Sequence, residues 1–77
     1  MSAAYILIEL AGGRTKSALK KLTAIKGIQI EAVTGPYDAI AFIKGKDLNE
    51  LGNKVLSKIH AVKGVTKTTT CMCVDVK

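Results

Sequence analysis

The chain has 77 residues, which is enough for one domain and no more. Hydrophobic residues make up 48% of it, so we expect a folded core and not a disordered chain. The formal net charge of +6 favours acidic partners, although the basic residues are spread out and Arg14 is the only arginine. The apolar run at residues 3–8 is far shorter than the roughly 20 residues of a membrane span, and no basic segment precedes it as in a signal peptide. We therefore expect a cytoplasmic protein without a membrane segment.

The first half of the chain predicts a strand, a helix and a second strand. Residues 5–10 are rich in β-branched and aromatic side chains and are followed by Ala11-Gly12-Gly13, as at the end of a strand. Residues 14–25 predict a helix, because apolar residues recur at a spacing of three and four, and Gly27 follows as its stop signal. Residues 28–34 predict the second strand.

The second half predicts a strand, a helix and a strand. Gly35-Pro36 is a turn signal between residues 28–34 and a third strand at 37–44, so these two strands should form a hairpin. Asp47, with Glu50 three residues later, resembles a capping box at the start of a helix over residues 48–61. Gly64 then marks a turn, and residues 65–76 predict a fourth strand.

An internal repeat supports this order. Residues 22–28 recur as residues 59–65, and each copy contains the end of a helix, a glycine and the start of a strand. Two right-handed βαβ halves produce a four-stranded antiparallel sheet with both helices on one face. The predicted fold class is α+β, with the ferredoxin-like βαββαβ arrangement.

The sheet face away from the helices is expected to be apolar as well. In the first strand Tyr5 and Leu7 alternate with Ile6 and Ile8, so apolar side chains point to both faces. A monomer would expose a large apolar patch on such a sheet. The simplest solution is that this face packs on a second copy of the chain.

Two motifs carry a resemblance to a known family. Val33-Thr34-Gly35-Pro36-Tyr37-Asp38 looks like a V-x-G-x-Y-D turn, and residues 64–70, Gly-Val-Thr-Lys-Thr-Thr-Thr, look like a G-V-x-x-T-x-T segment. With these motifs in this fold order, residues 4–76 resemble the effector-binding domain, or RAM domain, of the Lrp/AsnC transcription regulators.

The resemblance implies an assembly and a ligand. Members of the family pair sheet to sheet as dimers with a dimeric α/β barrel shape, and the dimers form rings, often of eight or ten subunits. Effectors, usually amino acids, bind between dimers near the hairpin turn. The helix-turn-helix domain of full-length members is absent from residues 1–77, which we read as a single ligand-binding domain. We therefore do not expect direct DNA binding, and the chain could instead mix with full-length Lrp/AsnC regulators.

The predicted effector-binding residues lie in these motifs. Asp38 could bind an effector's ammonium group, or it could only organise the hairpin backbone. Gly35 would supply the turn conformation and backbone amides, while Pro36 and Tyr37 shape the turn. The hydroxyls of Thr68 and Thr70 could bind polar groups, although threonine is also common in strands for its β-propensity alone. The predicted set is Gly35, Pro36, Tyr37, Asp38, Thr68, Thr70 and Cys71.

The two cysteines are assigned no metal or cofactor. On a strand, Cys71 and Cys73 would face the same side, and a disulfide between them is not expected. The pair could bind a soft metal, but a closed zinc site needs about four ligands, and His60 is the sole histidine. We expect the cysteines to act as small buried hydrophobic residues that shape a cleft, and His60 to be a helix cap or a surface residue.

Four functions remain in competition. The leading hypothesis is an oligomeric amino-acid-binding module that modulates transcription or amino-acid metabolism. A purely structural assembly domain and a basic nucleic-acid-binding protein are the alternatives, and the latter is weakened because the chain shows no aromatic pair on a common strand face for base stacking. An enzyme is not expected, since no nucleophile–base pair is visible, and Gly12-Gly13-Arg14 is the only hint of an acylphosphatase-like phosphate loop.

Overall fold

A four-stranded antiparallel sheet carries the helices on one of its faces in the computed structural model, which describes residues 2–13 and 15–74. The strand order is β2-β3-β1-β4, and the β1–β3, β1–β4 and β2–β3 pairs are all antiparallel. The predicted ferredoxin-like βαββαβ order is confirmed. Its elements are β1 (Ser2–Leu10), α1 (Thr15–Thr23), β2 (Gln29–Ala32), β3 (Ala39–Gly45), α2 (Leu48–Lys54) with a π-helical continuation (Val55–Ile59), and β4 (Val65–Met72).

The strand boundaries differ from the prediction around the hairpin and at the chain start. β1 begins at Ser2, because residues 2–4 pair with the end of β3. β2 has only four residues and β3 begins at Ala39, since residues 33–38 form a wider turn than Gly35-Pro36 alone. The predicted fourth strand was too long, because β4 ends at Met72 and residues 73 and 74 are not part of it. The predicted helix start at Arg14 and the last predicted strand residues, 75 and 76, lie outside the described residues.

Helix α1 is shorter than predicted and is anchored by its buried stripe. Ala18 and Leu22 are fully buried against the sheet. The helix ends at Thr23, whose hydroxyl donates to the carbonyl of Leu19 at 2.9 Å. Ile25 follows outside the helix but still packs on the core, and Gly27 has a positive φ of 82°. The spacing of apolar residues thus predicted the position of α1 correctly. The prediction that the helix continues to Ile25 was wrong.

Helix α2 begins at the predicted cap and then changes its winding. The Oδ1 atom of Asp47 accepts a hydrogen bond from the amide of Glu50 at 2.9 Å, which confirms the cap. Beyond Lys54 the helix becomes π-helical, and the amide of His60 donates to the carbonyl of Val55, five residues earlier, at 2.9 Å. The single continuous α-helix predicted for residues 48–61 is therefore wrong in its second half.

The core lies between the helices and the sheet. Alternate residues of β1 and β3 point into it, because successive strand residues face opposite sides. The fully buried large side chains are Ile6, Ile8, Leu22, Ile43, Leu51 and Ile59. The helices contribute half of this set and the two central strands contribute the other half. The other face of the sheet is left without a helix.

The helix-free side of the sheet is called the open face below. Its central side chains are Tyr5 and Leu7 from β1 and Ile40 and Phe42 from β3, which alternate with the buried residues of those strands. Tyr5 is 49% exposed, and the other three are half-buried. Polar side chains surround this apolar centre, namely Glu9, Gln29, Glu31, Lys44, Lys67 and Thr69. Apolar side chains on both faces of the sheet are thus confirmed.

Four exposed lysines lie on the helix layer, on the opposite side of the molecule from the open face. Lys16, Lys20 and Lys21 are polar residues of α1, which has no acidic residue, and Lys58 is exposed on the π-helical segment. In residues 2–13 and 15–74, no helix has the length and apolar character needed to cross a membrane.

Candidate functional site

The hairpin turn, residues 33–38, is closed by backbone contacts. The amide of Val33 donates to the carbonyl of Asp38 at 3.0 Å. Gly35 has a φ of 131°, in a region that residues with a side chain rarely adopt, so this turn depends on glycine. Gly35 and Pro36 are exposed at the tip, and Tyr37 is half-buried. The structure thus brings four of the predicted effector-binding residues, Gly35 to Asp38, into one exposed turn.

Asp38 connects the hairpin turn to the end of β1 through two hydrogen bonds. Its amide donates to the carbonyl of Ile8 at 2.9 Å, and its Oδ2 atom accepts from the amide of Leu10 at 2.8 Å. The backbone-organising role considered for Asp38 is therefore present. An ionised carboxylate has about four acceptor positions, so a further bond to an ammonium group is compatible with this geometry. The effector role of Asp38 stays a prediction.

A hollow of about 480 Å³ lies on the open face next to the hairpin turn. Its floor is apolar, and the side chains that line it are Tyr5, Gln29, Glu31, Val33, Ile40 and Phe42. The rings of Tyr5 and Phe42 lie 4.9 Å apart between centroids at an interplanar angle of 50°. The hollow can therefore accept an apolar group, while Gln29 and Glu31 offer polar atoms at its rim.

The Tyr5–Phe42 pair corrects the expectation that the chain has no aromatic pair on a common face. The two residues lie on neighbouring strands and are directly opposite in the β1–β3 register. Alternation along each strand predicts the face of each ring, but only the register shows that the rings meet. Lys44 adds a cation, with its Nζ atom 5.9 Å from the Phe42 ring centroid.

Thr68 and Thr70 lie on the helix side of β4, away from the open face. They are opposite Ile8 and Ile6, which are buried beneath the helices. The hydroxyl of Thr68 is 2.7 Å from the Nε2 atom of His60, so this hydroxyl already has a partner. His60 is exposed, as one interpretation of it predicted, but its bond to Thr68 was missed because the π-helical turn that places it has no recognised sequence signal.

Cys71 lies on the open face, opposite Tyr5 in the β1–β4 ladder. Cys71 and Cys73 are both exposed free thiols in the single chain, so their expected burial as small hydrophobic residues is not present within one chain and would need a second copy. The seven predicted effector-binding residues thus occupy three places: the hairpin turn, the helix side of β4 and the open side of β4. Within one chain, only the hairpin group forms a cluster.

The chain shares a segment with a much longer enzyme. Over 59 residues it is 36% identical to a homocitrate synthase of Sulfurisphaera tokodaii, and the match covers 75% of this chain and 13% of that enzyme. The homocitrate synthase of Saccharolobus solfataricus matches to the same extent. The chain therefore spans only 13% of the length of these curated relatives.

Solved structures reproduce the whole fold. TTHA0845 from Thermus thermophilus superposes with a TM-score of 0.83 at 29% identity and covers 100% of this chain and 98% of its own. Escherichia coli AsnC has a TM-score of 0.83 at 21% identity, with 97% of this chain and 52% of its own covered. The transcriptional regulator NMB0573 of Neisseria meningitidis, solved as a complex with L-Met, has a TM-score of 0.80 at 16% identity and matches over 96% of this chain and 50% of its own.

A family model agrees with these structures and with the motifs of the hairpin turn and of β4. The model of the Lrp/AsnC ligand binding domain matches residues 3–76, nearly the whole chain. The chain belongs to the family of Lrp/AsnC ligand-binding domains.

Proposed function

We propose that the chain is an oligomeric amino-acid-binding module that regulates transcription or amino-acid metabolism through effector-dependent assembly. The observation that carries the proposal is the open face, where a half-exposed apolar centre adjoins a glycine-dependent hairpin turn. Pairing of two chains through this face would remove the apolar side chains from water. Pairs would then assemble further, to an octamer or a decamer.

The effector is proposed to bind at the hairpin turn, where copies meet. Asp38 would accept from the ammonium group of an amino acid, and the backbone amides around Gly35 would face its carboxylate. Thr68, Thr70 and Cys71 would reach this effector only from another copy, because in one chain they lie apart from the turn. The complex of the Neisseria regulator with L-Met supports an amino acid as the class of ligand.

Native mass spectrometry of the purified chain, with and without a mixture of the twenty amino acids, tests this function. We expect oligomers built from pairs, and a change in their distribution or mass when one amino acid binds. Calorimetry with each amino acid at millimolar concentration then identifies the effector. A monomer at micromolar concentration would refute the proposed assembly. Oligomers that bind none of the twenty amino acids would instead indicate a purely structural assembly domain.

A second function is favoured by the homocitrate synthases. A segment of those enzymes is 36% identical to this chain, so the chain would act on a homocitrate synthase as a separate regulatory subunit. In this role it would have no catalytic activity of its own and would act in the cytoplasm. The test adds the chain to the homocitrate synthase of Sulfurisphaera tokodaii and measures both co-migration and activity across the twenty amino acids. Unchanged migration and unchanged activity would exclude this enzyme as a partner.

A further inference from the structure

The exposed side of α1 carries positive charge and no negative charge. Its exposed side chains are Lys16, Ser17, Lys20, Lys21 and Thr23. The helix contains no acidic residue, and neither does the longer segment of residues 10–30. Among the described residues, none of the three lysines takes part in an ion pair. Their ammonium groups are therefore available to an external anion.

A hollow of about 490 Å³ lies between these lysines. It is lined by Gly13, Lys16, Ser17, Lys20 and Lys21, and these residues are called the lysine face below. Lys16 and Lys20 are four residues apart, which separates them by roughly 6 Å along the helix axis. Ser17 adds a hydroxyl that can donate to an anion. The lysine face thus presents several donors in a row, as an extended anion requires.

Pairing through the open face would leave the lysine face uncovered. Leu22 of α1 packs into the core from the helix side of the sheet, so the exposed side of α1 is turned away from the open face. The acidic side chains Glu9 and Glu31 lie at the rim of the open face, on the other side of the sheet from α1. A pair of chains would therefore carry two lysine faces, both directed outward.

We propose that the lysine face binds the phosphate backbone of double-stranded DNA without reading its sequence. DNA carries one negative charge per roughly 1.7 Å of its axis, so several lysines of one helix can meet several phosphates at once. Lysine and serine side chains are ligands of phosphate, whereas arginine, asparagine and glutamine, which read most base edges, are absent from α1. A contact that reads no bases does not need a helix-turn-helix domain, and it is independent of effector binding at the hairpin turn.

A membrane surface fits the lysine face less well than DNA does. Helices that lie on anionic membranes combine basic residues with exposed apolar side chains that enter the lipid layer. In α1 the side chains of Ala18 and Leu22 are fully buried, and Leu19 is half-buried against the core. The lysine face therefore offers charge without an apolar group to insert, which favours a phosphate backbone.

Fluorescence anisotropy of two labelled DNA duplexes of unrelated sequence, each titrated with the full chain, tests the proposal. We expect equal affinities for the two duplexes. Each phosphate contact on B-DNA contributes about −0.9 to the slope of log K against log salt concentration, so the three lysines of α1 predict a slope of about −2.7. Between roughly 50 and 200 mM salt, the affinity should therefore fall about 40-fold.

Lys20→Gln should weaken binding of both duplexes equally and change the salt slope from about −2.7 to about −1.8, because one phosphate contact is lost. Glutamine is chosen because it favours helices about as well as lysine does. Lys46→Gln is the matched control, since Lys46 is also exposed but lies in the loop between β3 and α2. It removes the same charge and should leave the slope unchanged.

Four outcomes would each overturn the proposal. They are no binding to either duplex at low salt, an affinity that does not change with salt, a clear preference for one duplex, and an equal change of slope in Lys20→Gln and Lys46→Gln. Vesicles of phosphatidylserine distinguish the two polyanions. If the chain binds these vesicles and neither duplex, the lysine face is a membrane contact and not a DNA contact.

Discussion

At the scale of single residues, Asp38 combines a structural role with a proposed binding role. Its carboxylate accepts from the Leu10 amide, while its backbone bonds to β1 and to Val33. Asp38 therefore stabilises the hairpin turn whether or not it also binds an effector. The two roles differ in what they require, because the first needs an acceptor oxygen and the second needs a negative charge.

Two substitutions of Asp38 separate these roles. Asp38→Ala should lower the free energy of unfolding by about 1–2 kcal/mol, because the half-buried Leu10 amide loses its acceptor. Asp38→Asn retains an acceptor oxygen and should keep most of the stability, as measured by urea denaturation. If Asp38 binds an effector's ammonium group, Asp38→Asn should still lose amino-acid binding in calorimetry. If the folded Asp38→Asn variant binds the amino acid as tightly as the unchanged chain, the proposed role of the Asp38 charge in effector binding is wrong.

The glycines of the hairpin turn and of α2 should respond to alanine in opposite directions. Gly35→Ala is expected to destabilise the chain by about 1–3 kcal/mol, because a φ of 131° is strained for any residue with a side chain. Gly52→Ala should stabilise it by about 0.5–1 kcal/mol, since Gly52 is helical and an added Cβ there meets no atom within 4 Å among the described residues. Thermal unfolding of both variants measures the two shifts. A stabilised Gly35→Ala variant would contradict the assigned turn geometry, and a destabilised Gly52→Ala variant would contradict the expected gain in the helix.

At the scale of elements, the π-helical segment shows what a periodic pattern misses. The buried residues of the second helix are Leu51, Val55 and Ile59, each four residues after the last. In a regular α-helix of 3.6 residues per turn, a spacing of four drifts around the axis. The wider π turn corrects this drift, so Ile59 returns to the core and His60 comes to lie beside Thr68. A spacing of four is also common in α-helices, and the sequence therefore did not distinguish the two.

The N-terminal cap of α2 can be tested in isolation from its neighbours. Asp47→Ala should lower stability by about 1 kcal/mol, because the amide of Glu50 loses the Oδ1 acceptor at 2.9 Å. Asp47→Asn is the matched control and should remain close to the original stability, since asparagine caps helices about as well. Equal losses in both variants, measured by urea denaturation, would mean that the charge of Asp47 matters more than the hydrogen bond.

Most of the fold was predictable from local signals, and most of the site was not. Alternation in β1 and β3 assigned the faces of Ile6 and Tyr5 correctly, and the glycines marked the ends of helices. The contact between Tyr5 and Phe42 depends on the register of strands that are distant in sequence. The separation of Thr68 from Cys71 follows from alternation, but whether they reach one effector depends on neighbouring copies.

At the scale of the whole molecule, the open face should decide whether the chain pairs. Phe42→Lys places a charge in the half-buried centre of this face and should produce a folded monomer at micromolar concentration by light scattering. Leu56→Lys is the matched control, because Leu56 is also apolar and is 66% exposed, but it lies on the second helix. It should leave the oligomeric mass unchanged. If Leu56→Lys is a monomer and Phe42→Lys is still an oligomer, the chains pair through the helix layer and not through the open face.

The lysine-rich helix layer has a consequence for how larger assemblies grow. Two chains joined through their open faces would turn both helix layers outward, so the resulting particle would have a cationic exterior. Such particles repel one another most strongly at low ionic strength, and roughly 0.1 M salt shortens the range of this repulsion to about 10 Å. Growth from pairs to rings should therefore be promoted by salt, whereas the pairs themselves, held by apolar contacts, should persist in dilute buffer.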